Sequence, residues 1–252
     1  MIRLMKTAAF AAVAGAFLLP GSAGAAEINV LSTQATQEAY LELVAQFEKA
    51  SGHKVKSTFT GTLNVQKRLA DGEAYDLIIM AGPAIDEQIK LGRAAAGSRV
   101  DFAKSGAGVA VRKGARKPDI GSPEALKRTL LAAKSIGYST GPSGIYMLSV
   151  FEKLGIAAEV KGKLRQTPSG VFVGNLLTGG EAEIGFQQIS ELVHFPGIDY
   201  VAPLPDELQR MTVFSAGIHT GAKRAEAARA LVKFLTAPAA AAVIRKHGLE
   251  PA

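Results

Sequence analysis

Between residues 28 and 91 the chain states one pattern three times: a short apolar run, a small polar turn, then an amphipathic stretch. The first copy is Ile28-Asn29-Val30-Leu31, the turn Ser32-Thr33-Gln34, and a segment from Thr36 with Tyr40, Leu43, Val44 and Phe47 at i, i+3, i+4 and i+7. That spacing puts all four on one helical face, and Gly52 closes the helix. The second copy is a strand at 55–59, the turn Thr60-Gly61-Thr62 and a helix at 63–70 stopped by Asp71-Gly72. The third is a strand at 76–80, the turn Ala81-Gly82-Pro83 and a helix to 91. Strands separated by helices pair in parallel, so the repeat predicts an α/β fold with its strand-to-helix turns along one sheet edge.

A glycine-containing apolar strand at 106–111 and the basic, Pro/Gly-rich stretch 113–123 behind it predict a crossing into a second lobe. There follow a helix at 123–133, a strand at 135–138, the turn Thr140-Gly141-Pro142-Ser143-Gly144 and a helix at 145–154. After Thr167-Pro168-Ser169-Gly170 comes another helix to 178, then a strand at 183–186 leading into Gln187-Gln188, and one at 200–202. A strand at 211–218 returns the chain to the first lobe, and two alanine-rich helices at 222–235 and 238–247 complete it. The expected organisation is two lobes, each a mixed, mainly parallel sheet flanked by helices. Residues 26–108 and 213–252 form one, and 109–212 the other.

Residues 1–25 read as an export signal. Arg3 and Lys6 precede a short apolar run, Pro20-Gly21 break it, and Ala23-Gly24-Ala25 suits signal peptidase. The run is shorter than the ~20 residues of a spanning helix, and no cysteine follows it for lipid attachment. The expected product is a periplasmic protein cleaved near Ala25, without stable membrane insertion, beyond the reach of cytosolic ATP and NADH and without a cofactor. The chain has no cysteine, which excludes disulfides and thiolate metal sites. Its formal charge is +7, or +5 without Arg3 and Lys6, and the basic residues are scattered. Trp is absent and aromatics are 6%, so the stacking platforms of single-strand nucleic-acid binders are missing.

Catalytic and metal motifs are poor. His53, His194, His219 and His247 are far apart in sequence, without metal-ligand spacing, and read as surface residues. Ser139, Ser143 and Ser169 lie in turns, but none sits in a G-x-S-x-G elbow. Glu181 and Glu183 read as a solvated face, and Gly106-Ala107-Gly108 precedes a strand where a phosphate loop would need a helix. What recurs is a polar turn at a helix start: Thr33-Gln34-Ala35-Thr36, Gly61-Thr62, Ser143-Gly144 and Gly170-Val171. A helix start exposes unpaired N–H groups and about half a positive charge, and small residues let an anion reach them. Ser, Thr and Gly there are also ordinary caps. With two such turns on each side of the crossing, the pattern predicts an anion site between lobes and no catalytic centre.

At this point the chain resembles the periplasmic solute-binding proteins of ABC importers, the molybdate-binding family above all. The resemblance is carried by INVLSTQATQEAYLELVAQFEKASGHKV, FTGTLNVQKRLADGEAYDLIIMAG, GPSGIYMLSVFEKLGI, GEAEIGF and ALVKFLTAPAAAAVIRKHGLEP. It implies a type II periplasmic binding fold, two lobes that close on a small anionic ligand, and transient docking of a monomer on an inner-membrane permease. The family's serine hydroxyls at the first two helix starts correspond here to Ala35 and to Gly61 or Thr62, with Thr33 and Thr36 nearby. Its backbone donors correspond to Ser143 and Gly170-Val171, and its tyrosine to Gln188. Gln187 and Gln188 offer both donors and acceptors, which suits a carboxylate or polar organic ligand.

Overall fold

The computed structural model describes residues 25–252, so the export segment lies, but for Ala25, outside the described residues. Strand β1 (Glu27–Thr33) passes through a single 3-10 turn (Gln34–Thr36) into α1 (Gln37–Ser51). Helix α1 buries the apolar face read from its spacing, Tyr40, Leu43, Val44 and Phe47, and stops where Gly52 turns left-handed at φ 75°. Next come β2 (Lys54–Thr60), α2 (Thr62–Ala70), β3 (Leu77–Ala81), α3 (Gly82–Lys90) and β4 (Val100–Ser105). The second lobe holds β5 (Ala107–Arg112), α4 (Pro123–Ala132), β6 (Ile136–Tyr138), α5 (Pro142–Lys153), α6 (Ala157–Val160) and β7 (Leu164–Gln166). It continues with α7 (Val173–Gly179), β8 (Ile184–Gln188), α8 (Ile189–Leu192) and β9 (Ile198–Pro203). The chain returns through β10 (Thr212–Ile218), α9 (Ala225–Leu235), α10 (Ala241–Lys246) and β11 (Glu250–Pro251).

The first sheet has the order β11-β4-β10-β3-β1-β2 and the second β7-β6-β8-β5-β9. Strands β2, β1 and β3 pair in parallel, as do β7, β6 and β8. Every strand of the first sheet except β10 and β11 runs one way, and every strand of the second except β5. Both sheets are therefore mixed but mainly co-directional. Their central strands β3 and β8 are buried along their whole length, as expected where helices cover both faces. Separate apolar clusters lie on the two faces of each sheet. Tyr40, Leu43 and Leu231 pack on one side of the first and Leu69, Ile78 and Ile85 on the other. Leu126, Phe151 and Phe186 do so in the second, opposite Leu177 and Leu192.

The chain leaves the first sheet after Ser105 and enters the second at Ala107, so the change-over is at Gly106 and not after 108. It leaves the second sheet after Pro203 and rejoins the first at Thr212. The basic stretch 113–123, expected at the crossing, belongs to the second lobe, where Gly114 N donates to Asp199 Oδ2 and Lys117 Nζ to Tyr200 O. The two crossings are stitched to each other: Gln209 accepts from Ala107 N and donates to Ala107 O, each at 2.9 Å.

Candidate functional site

The carboxyl ends of β1, β2, β6 and β8 converge on one cavity of about 30 Å³ between the lobes. From the first lobe it is lined by Thr33, Gln34, Ala35, Thr60, Gly61, Thr62 and Phe214. From the second come Ser139, Thr140, Gly141, Pro142, Ser143, Gly170, Val171, Gln187, Gln188 and Glu191. No Lys or Arg is among them. Positive potential comes instead from helix starts, whose first N–H groups have no partner within the helix. The turn into α1, and α2, α5 and α7, all begin without a side-chain cap, whereas Ser122 caps α4 by accepting from Ala125 N at 3.2 Å. Starts without such a cap also occur away from the cavity, at α3 and α9, so what distinguishes these four is that they meet at one place.

Two hydroxyls mark the site most sharply. Thr33, 3% exposed, and Ser143, 4% exposed, belong to opposite lobes, and neither Oγ1 nor Oγ has a hydrogen-bond partner among the described residues. A buried hydroxyl left unpaired costs about 1–3 kcal/mol, so these two offer donors to a guest that accepts hydrogen bonds. The cleft is closed across its mouth. Gln34 Nε2 donates to Gly170 O at 3.1 Å, Asn64 Nδ2 to Ser169 O at 3.0 Å, and Ser190 Oγ to Ala35 O at 2.7 Å. Close backbone approach is what requires Gly61, since a Cβ there would lie 2.4 Å from Gly170 N. Gly170 itself is left-handed at φ +84°.

Thr33, Gln34, Ala35, Gly61, Thr62, Ser143, Gly170, Val171, Gln187 and Gln188, all singled out from sequence, are brought together in this lining. Two others are not. Thr36 is fully buried behind the turn, with Oγ1 3.2 Å from Ser32 Oγ, so its hydroxyl serves the fold. Gly144 lies beneath the start of α5, where a Cβ would fall 1.9 Å from Ser139 O; glycine there lets the helix sit on the preceding turn. The glutamines divide their work. Gln187 Oε1 accepts from Val173 N at 2.8 Å, and its amide nitrogen serves Glu191. In the orientation its neighbours require, Gln188 Nε2 donates to Ser105 O at 3.0 Å and Gly106 O at 3.2 Å, and Oε1 accepts from Thr212 Oγ1 at 3.0 Å. Its amide thus ties both crossings and is committed away from a ligand.

Glu191 was not foreseen. It is the only ionisable carboxyl, amine, guanidine or imidazole side chain lining the cavity. The residue is partly covered and its carboxyl enclosed; loss of water pushes its pKa up to about 7, against hydrogen bonds from Gln187 and the Gln188 backbone. An acid beside an anion site carries no sequence signal, because like charge argues against it. Thr60, Ser139, Thr140, Gly141, Pro142 and Phe214 were also missed as site residues, although all but Phe214 sit in turns already noted. The histidines need a correction as well: His194 Nε2 lies 3.0 Å from His247 Nδ1, and His247 Nε2 lies 2.8 Å from Glu42 Oε2, so two of them meet between lobes. Among the described residues no cluster of His, Asp and Glu could hold a metal ion. Ser143 has no histidine or lysine beside it in the lining, which removes the nucleophile–base pair a serine hydrolase requires. A larger open groove of about 470 Å³ on the second lobe, lined by Arg116, Asp119 and Glu183 among others, has no such convergence of helix starts.

Comparison with known proteins agrees with this fold. A protein named aconitate isomerase from a Pseudomonas species is 37% identical over 89% of this chain and 87% of its own. The molybdate-binding protein ModA of Azotobacter vinelandii is 29% identical over 93% of this chain and 94% of its own. A solved Azotobacter vinelandii periplasmic molybdate-binding protein superposes with a TM-score of 0.75 at 20% identity, covering 88% of this chain and 98% of that one. Residues 28–250 match the family model described as bacterial extracellular solute-binding protein, nearly the whole described length. By that match, and with two lobes meeting at a cavity free of Lys and Arg, this chain belongs to the bacterial extracellular solute-binding protein family.

Proposed function

We propose that the chain captures a small organic polycarboxylate between its lobes and passes it to an inner-membrane ABC permease. In this reading it works in the periplasm as a monomer once residues 1–25 are removed, with no cofactor and no nucleic-acid partner. The observation that carries capture is the pair of orphaned hydroxyls, Thr33 Oγ1 and Ser143 Oγ, one from each lobe. An anion accepting from both favours the closed state, because only closure brings the two donors together. The preference for a carboxylate over a tetrahedral oxyanion rests on Glu191. Two like charges about 4 Å apart cost about 4 kcal/mol at an effective dielectric constant of about 20. A fully ionised oxyanion pays that cost or must keep Glu191 protonated, whereas an organic acid, held in a cleft opened beyond the about 30 Å³ of this closed state, can place a carbon, a hydroxyl or a protonated carboxyl against it.

The test is a thermal-shift and calorimetric panel of molybdate, tungstate, sulfate, citrate, cis-aconitate and trans-aconitate. A true ligand at 100 times its dissociation constant adds about 2.7 kcal/mol. A response to molybdate alone removes the carboxylate preference, and no response from any anion removes capture.

A second reading, in which a bound aconitate is also isomerised, is favoured by the same glutamate. Moving a double bond along a carbon chain needs a group that takes up and returns a proton near neutral pH, and Glu191 is the one cavity-lining carboxyl. Proton NMR of cis-aconitate incubated with the protein decides it: growth of the trans isomer supports turnover, and an unchanged spectrum leaves capture alone.

A further inference from the structure

We propose that Glu191 carries the proton between two carbons of a bound unsaturated polycarboxylate, using a second cavity behind it as its path to solvent. This rests on the isomerisation reading. Glu191 and Gln34 are shared by the linings of the ligand cavity and of a neighbouring cavity of about 230 Å³. The second space is bounded by Glu38, Phe172, Ser190 and His194 among others, so it is polar on one side and aromatic on the other. Glu191 therefore stands as a partition with one space on each side. In the ligand cavity it has no competitor for proton transfer, since the other polar side chains there are hydroxyls and amides. Its carboxyl, enclosed and titrating about 7, is populated both as base and as acid near neutral pH.

The step balances without any further reactant. The Glu191 carboxylate takes a proton from the methylene carbon next to the ligand's double bond. The C–H electron pair becomes the new double bond, and the old π pair moves out towards the carboxylate on the far carbon. Glu191 then returns a proton to that far carbon. One C–H bond breaks, one forms, the double bond shifts by one position, and nothing is oxidised or reduced. The helix-start N–H groups around the cavity face the carboxylates, where charge accumulates while the proton is on Glu191.

The experiment compares wild type with Glu191→Gln and Glu191→Asp in D2O, using cis- and trans-aconitate as probes, proton NMR for turnover and exchange, and calorimetry for binding. Wild type is expected to interconvert the isomers and to place deuterium in both. Glu191→Gln is expected to bind both while turning over at least about a hundredfold more slowly, and Glu191→Asp to keep exchange at a reduced rate. Isomerisation by Glu191→Gln at the wild-type rate overturns the proposal and leaves the isomerisation reading standing. So does wild-type turnover without deuterium uptake, because a proton that reaches solvent through the second cavity exchanges between its removal and its return. A folded Glu191→Asp variant that exchanges nothing also overturns it. Wild type that neither isomerises nor exchanges removes the isomerisation reading, and the proposal with it.

Discussion

Replacing Thr33 by valine separates a residue kept for the fold from one kept for a guest. The backbone at Thr33 is extended, at φ −76° and ψ 153°, which a β-branched valine adopts as readily as threonine. Valine has the same shape, so the packing around a side chain that is 3% exposed is preserved. What disappears is a hydroxyl with no partner in the unliganded protein. Burying that group unpaired costs about 1–3 kcal/mol. The free variant should accordingly be as stable as wild type or up to about 1 kcal/mol more stable, a rise of about 2–4 °C in Tm for a chain of this size. The liganded protein loses a hydrogen bond to a charged oxygen, worth about 1.5–3 kcal/mol. That weakens binding by about ten- to a hundredfold. Scanning fluorimetry with and without saturating ligand, backed by calorimetry, reads both signs in one series. Ser143→Ala should repeat the pattern from the other lobe. A Thr33→Val protein that melts lower without ligand and binds with unchanged affinity would refute the reasoning, since the hydroxyl would then be bonded in the free state and idle in the bound one.

Gly61→Ala should leave each lobe intact, because the atoms nearest the added Cβ are those of Ser169 and Gly170 in the opposite lobe. Affinity should fall at least about tenfold, or about 1.4 kcal/mol, with little change in the free protein's melting; unchanged calorimetric affinity counts against closure as the bound state. Asp76 is a fold residue: buried, it accepts from Asn29 N at 2.8 Å and from Arg224 N at 2.7 Å, holding the start of α9 against β1. Asp76→Ala should cost about 3 kcal/mol in chemical denaturation without altering ligand selectivity. His194 is held below the usual histidine range, first by burial and then by the charge of His247 and Lys246, with Glu38 opposing. A base with a depressed folded pKa supports the fold above about pH 6.5 and loses that support as pH falls through the folded value. His194→Gln should therefore flatten the decline in Tm between about pH 6.5 and pH 5, while the wild-type decline below about pH 4.5, where carboxylates titrate, remains. Equal slopes in the two proteins above that lower range would remove the assignment.

The layered α/β arrangement was legible because β1, β3 and α1 carry unbroken apolar signals at strand and helix spacing. β4 escaped notice since Asp101 and Lys104 interrupt VDFAKS; only Phe102, Ala103 and Ser105 face inward. The start of α5 was read late because Pro142 looks like a turn, although at a helix start its missing N–H costs nothing. The turns of the site were readable as small polar residues before apolar stretches. Gln188 was readable as a polar residue at a strand end, but not the direction of its amide, which depends on how Ser105 and Thr212 come together. The contact between His194 and His247 joins residues 53 positions apart in different lobes, which no local spacing encodes. Glu191 was hidden for a different reason: its carboxyl is compatible with an anion site only because enclosure keeps it partly protonated, a property of the folded surroundings alone.

Proline apart, no exchange of one amino acid for another deletes a donor that belongs to the main chain. The ring of helix-start amides thus gives this architecture a permanent appetite for negative charge, and natural variation is left to act on a few neighbours such as Thr33, Ser143 and Glu191. Changing the guest, in evolution or in the design of a biosensor, becomes a matter of re-dressing an inherited socket without rebuilding it.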